Sequence, residues 1–205
     1  FTPGELFVAV GDSGRIVTSP DGITWTLFIE SESLIGVTYS NNLFLKVGYQ
    51  GHISTSSNAT SWNNITSGTT DTLRGITYGN DKFVVVGNSG TILTSSDNGS
   101  TWDARTSGIN REMNGVLYSN DTFVAVANLG KILTSSDGIS WTSRTSPIDG
   151  EINRVIYSNN TFLAVATGGK IITSSDGISW TSRTSGTSNY LYDVVFGNST
   201  FVTVG

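Results

Sequence analysis

The phrase SSDGISWTSRTS occurs twice without change, at residues 135–146 and 174–185, a spacing of 39 residues. Looser versions stand at 19–25 (SPDGITW), 56–62 (SSNATSW) and 95–102 (SSDNGSTW). The tryptophans that end them, Trp25, Trp62, Trp102, Trp141 and Trp180, are separated by 37, 40, 39 and 39 residues. An aromatic that opens a hydrophobic run keeps the same period at Phe7, Phe44, Phe83, Phe123, Phe162 and Phe201, and a third series runs Tyr39, Tyr78, Tyr118, Tyr157 and Phe196. Self-similarity at this period marks a solenoid, a propeller or another array, in which each repeat is one supersecondary unit.

Four short runs in each period read as strands. In one repeat they are GITY (75–78), KFVVV (82–86), TILTS (91–95) and TWDAR (101–105). They are β-branched or aromatic and are separated by GND, GNSG and DNG, which is turn chemistry. The longer step to the next repeat, as in TSGINREMN (106–114), suits a chain returning from the outer edge of one sheet to the inner edge of the next. The fold expected is therefore all-β: one propeller domain over residues 1–205, built from four-stranded antiparallel blades. The first, third and fourth strands occur five times and the second six times, at both FVAV (7–10) and FVTV (201–204). This count predicts five blades and one spare strand, with the ring closed by pairing the last first-strand (191–196) to the N-terminal strands at 7–28.

Composition narrows the partners. The chain has 205 residues, 37% of them hydrophobic and 13% charged, so it has apolar content for a core. Its net charge is -5 and its basic residues form no run, which argues against nucleic acid. No apolar segment reaches the roughly 18 residues of a membrane helix, so no membrane insertion is expected, and the first residues carry no basic n-region or apolar h-region, so a signal peptide is expected to be either absent or already removed. With no cysteine and the one histidine, His52, no metal centre or other cofactor is expected.

The repeated phrase, S-x-D-x-G-x-x-W and its forms one residue shorter, resembles the Asp-box of sialidase-like propellers. In that resemblance the box is the hairpin turn between the third and fourth strands. The aspartate accepts turn N–H groups, glycine takes the positive φ, and tryptophan packs back over the hairpin. The box is thus a folding device repeated once per blade. SSNATSW departs, with Asn58 for aspartate and Ala59 for glycine. Its turn is expected to be the most strained or the loosest.

Enzyme activity is not expected. By the same resemblance, a sialidase needs three converging arginines, a tyrosine paired with a glutamate, and an aspartic acid. Arg105, Arg144 and Arg183 share one position after the fourth strand in successive repeats, which places them on the outer rim. No pair of acids close in sequence suggests a glycosidase. His52, in a loop between the second and third strands, reads as a surface residue.

Binding is what such a disc offers. The loops between second and third strands carry Asp12 and Ser13, Tyr49 and Gln50, Asn88 and Ser89, Asn128 and Leu129, and Thr167 and Gly168 at equivalent positions. The adjoining connections add Thr106 and Ser107, Thr145 and Ser146, and Thr184 and Ser185. Neutral donors and acceptors with an aromatic suit sugars, and several weak sites on one rigid monomer gain by avidity. The blade number resembles the five-bladed lectins of the tachylectin-2 type, which implies glycan partners, with N-acetylated hexosamines first. The wording FVAVG-x-x-G-x-I-x-T-S also resembles bacterial and phage-borne propellers of cell-surface or tail-fibre type, implying an extracellular or virion-surface setting. That group shades into photosystem assembly propellers, which implies the alternative of a protein-binding scaffold.

Overall fold

A computed structural model describes residues 6–205, so residues 1–5 of the expected domain lie outside the described residues. The first sheet has three strands, β1 (Phe7–Gly11), β2 (Arg15–Ser19) and β3 (Thr26–Ile29). Four sheets have four strands each, in simple meander order. They are β4 (Leu34–Ser40) to β7 (Asn63–Ile65), through β5 (Leu43–Gly48) and β6 (Ile53–Ser56), and then β8 (Leu73–Gly79) to β11 (Asp103–Arg105), through β9 (Lys82–Gly87) and β10 (Ile92–Ser95). After them come β12 (Met113–Ser119), β13 (Thr122–Ala127), β14 (Ile132–Ser135) and β15 (Thr142–Arg144). The next sheet is β16 (Ile152–Ser158), β17 (Thr161–Ala166), β18 (Ile171–Ser174) and β19 (Thr181–Arg183). A last pair, β20 (Asp193–Gly197) and β21 (Thr200–Val204), forms a two-stranded sheet.

The all-β propeller architecture is as expected, but the described residues form six sheet units rather than five closed blades. The strand count explains the difference. Both copies of the second strand pair locally, β1 with β2 and β21 with β20. Closing the ring through β20 would require one of them to leave its hairpin, and no ladder among the described residues joins β20 or β21 to the first sheet.

Local chemistry sets the strands. Each first-to-second hairpin turns on two residues of positive φ: Asn41 and Asn42, Asn80 and Asp81, Asn120 and Asp121, Asn159 and Asn160, Asn198 and Ser199. Two successive left-handed residues make a type I′ turn, whose twist matches that of the flanking strands, and Asn and Asp tolerate it best. Second strands such as β13 and β17 are largely apolar and buried on both faces, since the sheets that hold them lie between two neighbours. Trp102 lies before β11 rather than within it, because its indole N–H donates to Gly99 O at 3.2 Å and holds it in the turn.

The three aromatic series meet in space. Tyr118 packs tilted against Phe123 with centroids 4.5 Å apart, and Phe123 against Trp141 at 6.2 Å. Tyr157, Phe162 and Trp180 repeat the arrangement one sheet later. Between sheets, Val84 and Val86 of β9 pack on Phe123 and Ala125 of β13, and Val124 and Val126 pack in turn on Phe162 and Ala164. Along the axis β1 lies against β4, β4 against β8, β8 against β12, β12 against β16 and β16 against β20.

Candidate functional site

The hairpins between third and fourth strands behave as structural clips. Asp137 Oδ1 accepts the N–H groups of Ile139 and Ser140, each at 2.8 Å, and Gly138 has φ +73°. Ser135 completes the turn, donating to Asp137 Oδ1 and accepting from the Gly138 N–H, both at 2.8 Å. Backbone donors hold the Asp137 and Asp176 carboxyls at about 2, and donation from Thr101 does the same for Asp97. These lowered pKa values come from the construction of the turn. In the variant hairpin Asn58 Oδ1 takes the same two N–H groups, from Thr60 and Ser61, and the departure appears as a non-glycine left-handed residue, Ala59 at φ +59°.

The opposite face carries the turns from second to third strands. Gln50, Ser89, Leu129 and Gly168 are left-handed there, each followed by a second left-handed residue, Gly51, Gly90, Gly130 and Gly169. A Cβ on Gly90 would stand 2.0 Å from Ile109 O, and one on Gly130 1.9 Å from Ile148 O. The turns are thus pressed against the outgoing connections. Those connections are folded by Ser107, Ser146 and Ser185, whose hydroxyls donate to Ile109 O, Ile148 O and Thr187 O at 3.1 Å each. The sequence offered these serines to a ligand, and the structure spends them internally. Thr106, Thr145 and Thr184 beside them are exposed, and Ser146, Thr184 and Ser185 line one rim groove of about 870 Å³.

Nearer the axis the predicted residues join a network that sequence reasoning missed. A β-bulge separates Leu73 from Gly75 and Met113 from Gly115, and the bulged residues are Arg74 and Asn114. Arg74 Nε donates to Asn88 Oδ1 at 2.6 Å, and Asn114 Nδ2 to Asn128 Oδ1 at 2.9 Å. Glu112 bridges the two, accepting from Asn128 Nδ2 at 3.1 Å and lying 3.5 Å from Arg74. Thr167 Oγ1 accepts from the Glu151 N–H at 3.1 Å, while Arg154 pairs with Asp193 at 3.4 Å. Arg74, Arg154 and Asp193 also line an axial channel of about 880 Å³. The available signal was a charged or amide residue interrupting apolar first strands, in LRG, MNG and INR.

The other residues singled out in the sequence lie elsewhere. Asp12 is exposed near Arg15, Ser13 donates its N–H to Ser33 Oγ, and Ser89 donates to Asp71. Tyr49 and Gln50 are exposed beside Glu30 and Asn64. Arg105, Arg144 and Arg183 are pinned to their own sheets by Thr94, Thr134 and Thr173 at 2.7–2.8 Å and do not converge. His52 corrects its surface reading: it is half-buried in the turn before β6, with Nε2 2.8 Å from Ser54 Oγ and with Glu30 and Glu32 beside it. Among the described residues no cluster of three His, Asp or Glu side chains could hold a metal.

No family model matches the chain, and no curated protein matches it. Solved structures share its fold. YCF48 bound to D1 peptide superposes with TM-score 0.70 at 16% identity over 92% of this chain and 67% of that one. YCF48 from Cyanidioschyzon merolae gives 0.72 at 15% over 97% and 76%, and a chain of the nidogen/laminin complex gives 0.74 at 12% over 97% and 85%.

Proposed function

We propose that the chain is a non-enzymatic, protein-binding propeller that holds an extended segment of a partner on the face of the second-to-third turns, across the axial mouth. The observation that carries this reading is the asymmetry of the mouth. Arg74, Asn114 and Asn153 occupy the bulge in successive sheets, and the next position reads Gly75, Gly115, Arg154 and then Asp193. Charges of both signs in a fixed, non-repeating order match a linear partner with its own order of side chains and backbone amides. Identical sugar units would call for contacts that repeat from sheet to sheet. The fold likeness to a peptide-bound propeller and to a chain of the nidogen/laminin complex supports the same direction. The hairpin geometry supports reading the repeat as an Asp-box used for folding.

A random peptide library panned on the whole chain tests the reading. Selected peptides should lose binding to Arg74→Ala and Arg154→Ala and keep it in Arg183→Ala at the rim. Selection of no peptide, together with sugar-dependent binding on a glycan array that the mouth substitutions weaken, would replace it with the lectin reading.

A further inference from the structure

The seam between the first two sheets differs in chemistry from those that follow. Register places Lys46, Ser54 and Asn64 where the next sheet has Val85, Leu93 and Ala104. Lys46 is 0% exposed, with Nζ bonded to Glu30 Oε2 and 4.3 Å from the centroid of Trp62. Burying an ion pair where a valine or alanine would pack costs stability, so its retention here points to a role other than packing. Beside it Ser54 donates to Asn64 Oδ1 at 2.7 Å and lies 2.8 Å from His52 Nε2. Burial, with the Lys46 charge, holds the imidazole pKa below its ordinary value.

A cavity of about 530 Å³ opens above this cluster, walled by Glu30, Glu32, Tyr49, Gln50, His52 and Asn64 with Trp62. Glu30 Oε1, the Gln50 amide, Asn64 Nδ2, His52 Nδ1 and the Tyr49 hydroxyl make no hydrogen bond to the described residues, in contrast to the spent serines of the rim. Charge narrows what could fill it. An anion meets Glu30 and Glu32, while a cation finds one Glu30 oxygen already taken by the buried Lys46 and a face of Trp62 covered by it. A neutral ligand rich in hydroxyls satisfies planar amides, a carboxylate held in place by Lys46, and the exposed Tyr49 ring at once.

We propose that this seam is a binding site for a neutral saccharide of one or two rings, a single asymmetric site distinct from the peptide-binding mouth. Tyr49 and Gln50 supply its exposed edge, and Glu30, His52 and Asn64 its floor.

The test is a titration of the whole chain with glucose, galactose, N-acetylglucosamine, N-acetylgalactosamine and their disaccharides, read by saturation-transfer NMR. At least one should bind in the millimolar range or tighter. Tyr49→Ala and Gln50→Ala are both at the surface and should weaken that binding about tenfold or more while leaving the melting temperature unchanged. Asn128→Ala at the mouth should leave it intact. Binding of none of these sugars, binding indifferent to both substitutions, or occupancy only by guanidinium or sulfate overturns the proposal. Peptide binding by the Tyr49 and Gln50 variants, measured separately, keeps this outcome distinct from that of the scaffold reading.

Discussion

Ser135 and Asp137 share a hydrogen bond of 2.8 Å that closes the most repeated turn of the molecule, and the same pair recurs as Ser174 and Asp176 at the same distance. The serine orders the carboxylate, and the carboxylate orders the backbone. Because Asp97, Asp137 and Asp176 have folded pKa values of about 2 against 3.8 for the unperturbed group, the folded state binds fewer protons than the unfolded one in acid. Their contribution is complete above pH 4 and is lost as pH falls toward 2. The midpoint of urea unfolding should therefore drop steeply over that window. Asp137→Asn should fold, as Asn58 already does in the second sheet, and should flatten part of that dependence.

Gly90 and Gly108 have nearly the same backbone, φ +75° and +74°, in different surroundings. A Cβ on Gly90 strikes Ile109 O, whereas one on Gly108 meets nothing within 4 Å. Gly108→Ala should cost about 1 kcal/mol, the price of a left-handed alanine. Gly90→Ala should cost at least about 3 kcal/mol, since backbone must also move. Chemical denaturation of the two variants measures the difference.

Trp180 and Trp25 hold equivalent positions but are 9% and 46% exposed. Trp180 sits in a core with Phe162 and Ile172 and is covered by the preceding sheet, while among the described residues no sheet precedes that of Trp25. Trp180→Ala should cost roughly 3–5 kcal/mol and Trp25→Ala about 1 kcal/mol. Equal losses in calorimetry would show that the hairpin contact, rather than the seam, carries the energy.

Glu30→Ala and Lys46→Met separate the two halves of the buried pair. Removing Glu30 strands an ammonium in the seam and should cost about 3 kcal/mol, whereas Lys46→Met should be near neutral or stabilising. Burial already lowers the Lys46 pKa, against the opposing pull of Glu30. Without Glu30 the folded state sheds that proton more readily than the unfolded one, so the Glu30→Ala variant should gain stability as pH rises from 7 to 10. Thermal melts across that range check the sign.

What the amino-acid order determined by itself was everything carried by contacts within a hairpin. The strand types, their counts, the Asn-rich turns and the roles of Asp137 and Gly138 in the clip were readable, because each is an answer to local φ and local hydrogen-bonding demands, whereas the part of Ser135 came only from the structure. The spare copy of the second strand was readable too, but not its fate: β1 and β21 each stayed with an adjacent strand, and only the packed structure shows six units. The pairings of Arg74 with Glu112, Asn114 with Ile152 O, and Lys46 with Glu30 join a strand of one sheet to a neighbouring sheet or the connection beside it, 38, 38 and 16 positions apart. No turn rule or periodicity specifies them, since they arise where sheets meet face to face or around an axis. Tertiary packing decided which of the polar side chains were consumed by the fold and which were left facing a cavity.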